Sequence, residues 1–251
     1  MTHSRIAVVT GGGTGIGAAI AHTLAASCSV IVLVGRRQDR LDAMAGELTA
    51  EHPGVTVHGR SVDLADLDAV TTFIEWAHQE LPYVNVVVNN AGSAQPRIEA
   101  GLTSVASAWE TTWRANTLSS VLITEGLKDL LVRPGGRIIM IGSFAAELGT
   151  GSPAYASAKG ALEAYTISLM RELGSEGITA NVVAPGFTDG TELLAGRITP
   201  ERRERLLTSI SARRPGTPEE IASLVGYLAS PLAGFINGEL ITANGGTYLS
   251  G

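Results

Sequence analysis

A doubly wound parallel α/β sheet of seven strands, with helices on both faces, is the fold class this sequence predicts. Two observations carry the prediction. Short apolar, β-branched runs alternate with helical stretches seven times between Ile6 and Thr242, with no linker, internal repeat or break in composition, and that alternation places parallel strands between crossover helices. A glycine-rich turn, Gly11 to Gly17, joins the first such run to the first helix, as in the opening half of a βαβ nucleotide-binding unit. The 251 residues suit one domain spanning 1–251, large enough to bury about three quarters of its unfolded surface without staples.

Ile6 to Thr10 reads as a strand buried on both faces, and Ala18 to Ala26 as the helix after it. Glycines let the backbone approach a pyrophosphate, and the helix N-terminus offers free N–H groups and a positive dipole end. Gly11, Gly13, Thr14, Gly15, Ile16 and Gly17 are the candidates for that cradle. Val30 to Val34 forms the second strand, after which a ribose-binding side chain is expected. The residues there are Gly35, Arg36 and Arg37, with no acid until Asp39. An arginine fork suits a 2′-phosphate, so NADP(H) is favoured over NAD(H), which stays possible; the alternative is that both arginines merely begin an exposed helix.

Val55 to Gly59 is the third strand. Asp63, followed by Leu64, either accepts from an adenine amino group or caps the next helix. Asn85 to Gly92 is the fourth strand with a turn attached, and Asn90, Ala91 and Gly92 lie at its carboxyl end, where open α/β sheets bind ligands. Trp109 to Leu131 reads as one long helix with Asn116 on its apolar face, which by itself suggests a satisfied core amide. Arg137 to Ser143 is a fifth strand running into a glycine-rich loop and then a helix with Tyr155 and Lys159. Residues four apart share a helix face, so the ammonium is expected to hold the phenol below its ordinary pKa and make it a proton donor and acceptor near neutrality. Lys128 and Lys159 are the only lysines in the chain, which suggests that the second position needs an ammonium. Ile178 to Val183 is a sixth strand leading to Pro185, Gly186, Phe187 and Thr188. A flap over about 188–210 follows, then a helix from Pro218 and a last strand from Gly238 to Thr242.

The net charge of −6 argues against a nucleic-acid partner. No window reaches the length of a membrane span, so no membrane partner is expected. The lone Cys28 fits a reducing compartment, and the early glycines interrupt any signal-peptide core; a cytoplasmic location is the expectation.

With these motifs in order, the chain resembles the short-chain dehydrogenase/reductase family along essentially its full length, and its C-terminal part, from Pro215 to Gly246, is similar to 3-oxoacyl-carrier-protein reductases. The resemblance implies a Rossmann-type fold, a nicotinamide cofactor and a small carbonyl or alcohol substrate. It implies Tyr155 as general acid and base, Ser143 as the donor to the substrate oxygen, Lys159 on the nicotinamide ribose, and Asn116 anchoring a water in a proton relay. Asp63 would meet adenine, Asn90 to Gly92 the adenosine ribose, and Pro185 to Thr188 the nicotinamide side. Ser93, Phe144 and Phe187 would face substrate with Ser143 and Tyr155. Relatives of this kind are usually homotetramers. Two departures stand out: Gly190 lies between Thr188 and Thr191 where the family often has a threonine, and Glu176 stands where carrier-protein reductases have a basic docking residue.

Overall fold

The computed structural model describes residues 5–94, 99–191 and 198–247. Strands β1 (Ile6–Thr10), β2 (Val30–Gly35), β3 (Thr56–Ser61), β4 (Val86–Asn89), β5 (Arg137–Ile141), β6 (Thr179–Pro185) and β7 (Leu240–Ala243) form one sheet in the order β3-β2-β1-β4-β5-β6-β7. Every neighbouring pair is parallel. The connections run through α1 (Gly15–Ala25), α2 (Gln38–Glu51), α3 (Leu67–Glu80), α4 (Leu102–Trp113), α5 (Ser119–Leu127), α6 (Phe144–Leu148), α7 (Pro153–Leu173), α8 (Pro200–Ser209) and α9 (Pro218–Ala229).

Successive strand residues point to opposite faces, so the sheet supplies two cores. Ile6 and Val8 of β1 pack with Phe73 of α3, Ile123 of α5 and Leu162 of α7. Ala7 and Val9 pack on the other side with Ile20 of α1, Leu41 of α2 and Val225 of α9. Burial on both faces explains why the inner strands β1, β2, β4 and β5 read as continuous apolar runs rather than alternating ones, whereas the edge strands β3 and β7 are only partly buried. The helix starts carry strong local signals. Pro153 opens α7 and the Ser152 hydroxyl accepts from the Tyr155 N–H at 3.1 Å. Thr217 and Glu220 form a reciprocal capping box at the start of α9, which satisfies two otherwise orphaned donors.

Several boundaries differ from the sequence expectation. The strands after β2 start or end one or two residues away from the expected limits. The long helix expected over Trp109 to Leu131 begins earlier, at Leu102, and is divided by a π-turn over Arg114–Leu118. The Asn116 amide donates to the Thr112 carbonyl at 2.9 Å, and a polar side chain inserted into the helical ladder is a recognised cause of such a break. The loop after β5 contains the short helix α6, with the Ser143 hydroxyl accepting from Ala145 N at 3.2 Å. Gly149 ends it at φ 61°, a left-handed turn that suits glycine. Of the expected flap, α8 is seen at its far end, while 192–197 lie outside the described residues. No described helix is long and apolar enough to cross a membrane.

Candidate active site

Strand order reverses between β1 and β4, and ligands of open α/β sheets bind at the carboxyl ends beside that reversal. A groove of about 670 Å³ opens there, running from the β2–α2 junction past the glycine turn to Tyr155. Its floor is backbone against backbone. A Cβ at Gly17 would stand 2.1 Å from the Gly11 carbonyl oxygen, and one at Gly11, whose φ is 65°, would stand 2.7 Å from Asn90 Nδ2. Thr10, buried at the end of β1, ties this turn to β4. Its hydroxyl donates to the Val88 carbonyl at 3.3 Å and accepts from Asn90 N at 2.9 Å and Ala91 N at 3.0 Å. Asn90 Nδ2 donates back to the Thr10 carbonyl at 2.9 Å. The N-terminus of α1 faces the groove with no side-chain cap and no acid in its first turn, which leaves its N–H groups and dipole available to an anion.

The far end of the groove is cationic. Arg36, Arg37 and Arg40 all line it; Arg37 reaches across to the Thr14 hydroxyl at 3.5 Å. Asp63 and Leu64 lie at the same end. Asp63 accepts from Ala65 N at 3.1 Å, whereas Asp66 caps α3 through Asp68 N and Ala69 N. The capping alternative for Asp63 therefore fails, because the helix starts three residues later than that role requires.

At the near end, Ser143, Tyr155 and Lys159 line the groove together with Gly92 and Ser93. Ser143 comes from the turn after β5, and the other two from consecutive turns of α7. Lys159 is fully enclosed and donates from Nζ to the Ile141 carbonyl at 2.7 Å. A Cβ at Gly92 would stand 2.6 Å from Asn116 Oδ1 and 3.3 Å from Lys159 Nζ, so glycine is the residue that lets the three approach. Asn116 holds the loop after β4: its Nδ2 donates to the Ser93 carbonyl at 2.9 Å and its Oδ1 accepts from Ser93 N at 3.1 Å.

The electrostatics differ from the expectation for the tyrosine. Burial pushes the Tyr155 phenol above its ordinary pKa, and a hydrogen bond with Ser143 only partly opposes that. Burial lowers Lys159 itself to about 8, since desolvation disfavours the charged form of both groups.

Every residue expected to meet the cofactor lines the groove except Phe187. Phe187 is buried, with the Arg203 guanidinium 5.4 Å over its ring, because the loop after β6 turns its side chain inward under α8. Phe144 also stays off the lining, as the first residue of α6. Asn116 is buried behind the wall rather than in it. The sequence reading missed Thr10, Arg40 and Arg114 as site residues. Arg40 had a signal, being a third arginine within four residues of Arg36 and placed in the first turn of α2. Arg114 had none, because it reaches the groove from the π-turn.

Comparison with known proteins places the chain among relatives of one family. The family model for short chain dehydrogenase matches residues 5–202. The chain is 32% identical over 248 residues to the 3-oxoacyl-[acyl-carrier-protein] reductase FabG of Aquifex aeolicus, covering 97% of each chain. It is 36% identical over 253 residues to the short-chain reductase protein NovJ of Streptomyces niveus, covering 98% of this chain and 95% of that one. Among solved structures, a blue fluorescent protein from a metagenomic library in complex with NADPH superimposes with a TM-score of 0.85 at 34% identity, covering 98% of each chain. The sheet order, the glycine cradle, the Tyr155 and Lys159 pair and these likenesses along the full chain together make the protein a member of the short-chain dehydrogenase/reductase family of oxidoreductases.

Proposed function

We propose that the protein interconverts a ketone and a secondary alcohol with NADP(H), and that the whole of 1–251 serves this one reaction. One observation carries the reading: a single groove holds an anion-binding glycine turn and an arginine cluster at one end and Ser143, Tyr155 and Lys159 at the other. The residues fit a dinucleotide. The cradle leaves no room for a Cβ at Gly11 or Gly17, and Arg36 with Arg37 offers paired donors for a 2′-phosphate; the relative solved with NADPH supports that preference over NAD(H). Asp63 and Leu64 would take the adenine end, Asn90 to Gly92 the adenosine ribose, and Pro185, Gly186 and Thr188 the nicotinamide side. When bound, the nicotinamide supplies or accepts the hydride.

The chain's own residues do the rest. The Ser143 hydroxyl donates to the substrate oxygen and holds it where charge develops. Tyr155 gives that oxygen its proton in reduction and takes it back in oxidation. A phenol held above its ordinary pKa stays protonated at neutral pH, which favours the donor role. Lys159 binds the ribose hydroxyls beside Tyr155. Asn116 fixes the Ser93 edge that limits where the carbonyl can sit.

The similarity to carrier-protein reductases makes β-keto thioesters candidate substrates, but Glu176 is paired with Arg133 at that surface and offers an acidic carrier no free cation. A homotetramer in the cytoplasm is the assembly we infer. Leu102, Val105, Trp109 and Trp113 repeat along one side of α4 and are exposed, as are Leu232 and Phe235 beyond α9, and such patches mark interfaces.

A panel of ketones and β-keto thioesters, tested with NADPH and NADH, checks the reading. NADPH should be consumed with at least one carbonyl and faster than NADH. Binding of NADPH with no reduction across the panel would instead assign a nucleotide sensor.

A further inference from the structure

The ends of α1 and α2 farthest from the groove carry a cluster that the reaction does not use. His22 lies in the last turn of α1, Glu51 is the last residue of α2, and His52 is its C-cap. Their donor atoms all lie within 4.8 Å of one another, and none of the three lines the groove. His22 Nδ1 stands 3.2 Å from Glu51 Oε2. Zinc bonds of about 2.0–2.1 Å imply a tetrahedral edge of roughly 3.3 Å, so this pair already has the spacing of two ligands. The His52 ring reaches the same spacing by moving about 1.5 Å or less, well within a rotamer adjustment at a helix end.

The local field favours a cation. The carbonyl ends of both helices carry partial negative charge. The last turn of α2 contains no basic residue to offset it, and Glu51 adds a full charge. The donor set is two imidazoles and one carboxylate. That set suits borderline first-row ions such as Zn²⁺, Ni²⁺ and Cu²⁺, and not Mg²⁺, which prefers an all-oxygen shell. All three residues are partly or fully open to solvent, so an ion can arrive and retain water in the remaining position.

We propose that His22, Glu51 and His52 bind one borderline divalent metal ion, with Zn²⁺ as its representative, and that the ion clips the end of α1 to the end of α2. The site is separate from the catalytic groove, and its role is to stabilise the half of the sheet that these helices cover.

The test uses the full chain without a polyhistidine tag, stripped with chelator and titrated with ZnCl₂ or MgCl₂ while heat of binding and thermal midpoint are recorded. One Zn²⁺ per chain should bind and raise the midpoint, and Mg²⁺ should do neither. His22→Ala and His52→Ala should each weaken Zn²⁺ binding by about ten-fold or more and remove the midpoint shift. Glu51→Gln keeps the size of the side chain and an oxygen facing His22 and should weaken Zn²⁺ binding and shrink the rise in midpoint above that variant's own metal-free value; it decides the matter if a histidine variant folds poorly. His78→Ala, on α3, should bind as the parent does. Zn²⁺ binding that survives in both histidine variants, or a parent whose midpoint ignores Zn²⁺, overturns the proposal.

Discussion

Gly92 has no side chain, yet its missing Cβ decides how closely Asn116 and Lys159 can approach the groove. An alanine there would place a methyl group 2.6 Å from Asn116 Oδ1. Both neighbours are buried, so neither can yield without losing a hydrogen bond. Gly92→Ala is therefore expected to destabilise the protein by about 1–3 kcal/mol and, because misplacement near 1 Å is felt strongly in catalysis, to lower kcat/KM on the order of ten-fold to 10²-fold. Thermal melts and steady-state kinetics check this, and a variant matching the parent in both would refute the packing argument. The sequence showed that Tyr155 and Lys159 share a helix face, because that follows from a four-residue spacing. It did not show the direction of the tyrosine's pKa. That direction depends on how deeply the phenol is enclosed by β5, α7 and the Gly92 turn, which no local spacing encodes. The two effects compete, and burial exceeds the help from Ser143.

At the scale of elements, the junction of α6 and α7 carries a charge conflict. Burial and the facing Glu147 carboxylate push Glu163 up to about 7. A folded-state pKa above the unfolded value of 4.5 means that the folded chain holds the extra proton between those two values. Stability from this group is thus complete below about pH 4.5 and is lost as pH rises through about 7. The thermal midpoint should fall over that window, and Glu163→Gln should flatten the fall; a profile identical in the variant would rule the pair out as its source. Regular elements were the legible part of the sequence. Parallel strands buried on both faces announce themselves as apolar runs, and α7 and α9 begin with Ser152-Pro153 and Thr217-Pro218, caps readable from residue type alone. The π-turn was not legible. Arg114 to Leu118 has ordinary helical composition, and the break depends on Asn116 finding Thr112 and Ser93 as partners in three dimensions. Helix α6 was hidden for a similar reason, being five residues long and bounded by a serine cap and a glycine that both read as loop.

Across the whole molecule, the groove joins residues from most of the chain, and its two ends can be tested separately. Arg36, Arg37 and Arg40 line the end of the groove proposed for the 2′-phosphate. Arg36→Asp combined with Arg37→Ala should weaken NADPH far more than NADH, by about ten-fold or more for the loss of charge-assisted contacts to one phosphate. Equal losses for both nucleotides would discard the 2′-phosphate assignment. The overall topology was legible because strand, glycine turn and helix recur in a fixed order, whereas the substrate wall was not. Phe144 and Phe187 were expected to form it from their positions in the chain. The inward turn of the loop beneath α8 and the cap at Ser143 take both off the groove lining. The catalytic end is tested most directly by one variant. Tyr155→Phe removes a single hydroxyl from the groove, and with a carbonyl that the parent reduces, turnover should fall by about 10²–10⁴-fold while NADPH binds as tightly as to the parent. A variant that binds NADPH normally and reduces that carbonyl at the parent's rate would contradict the role given to this phenol.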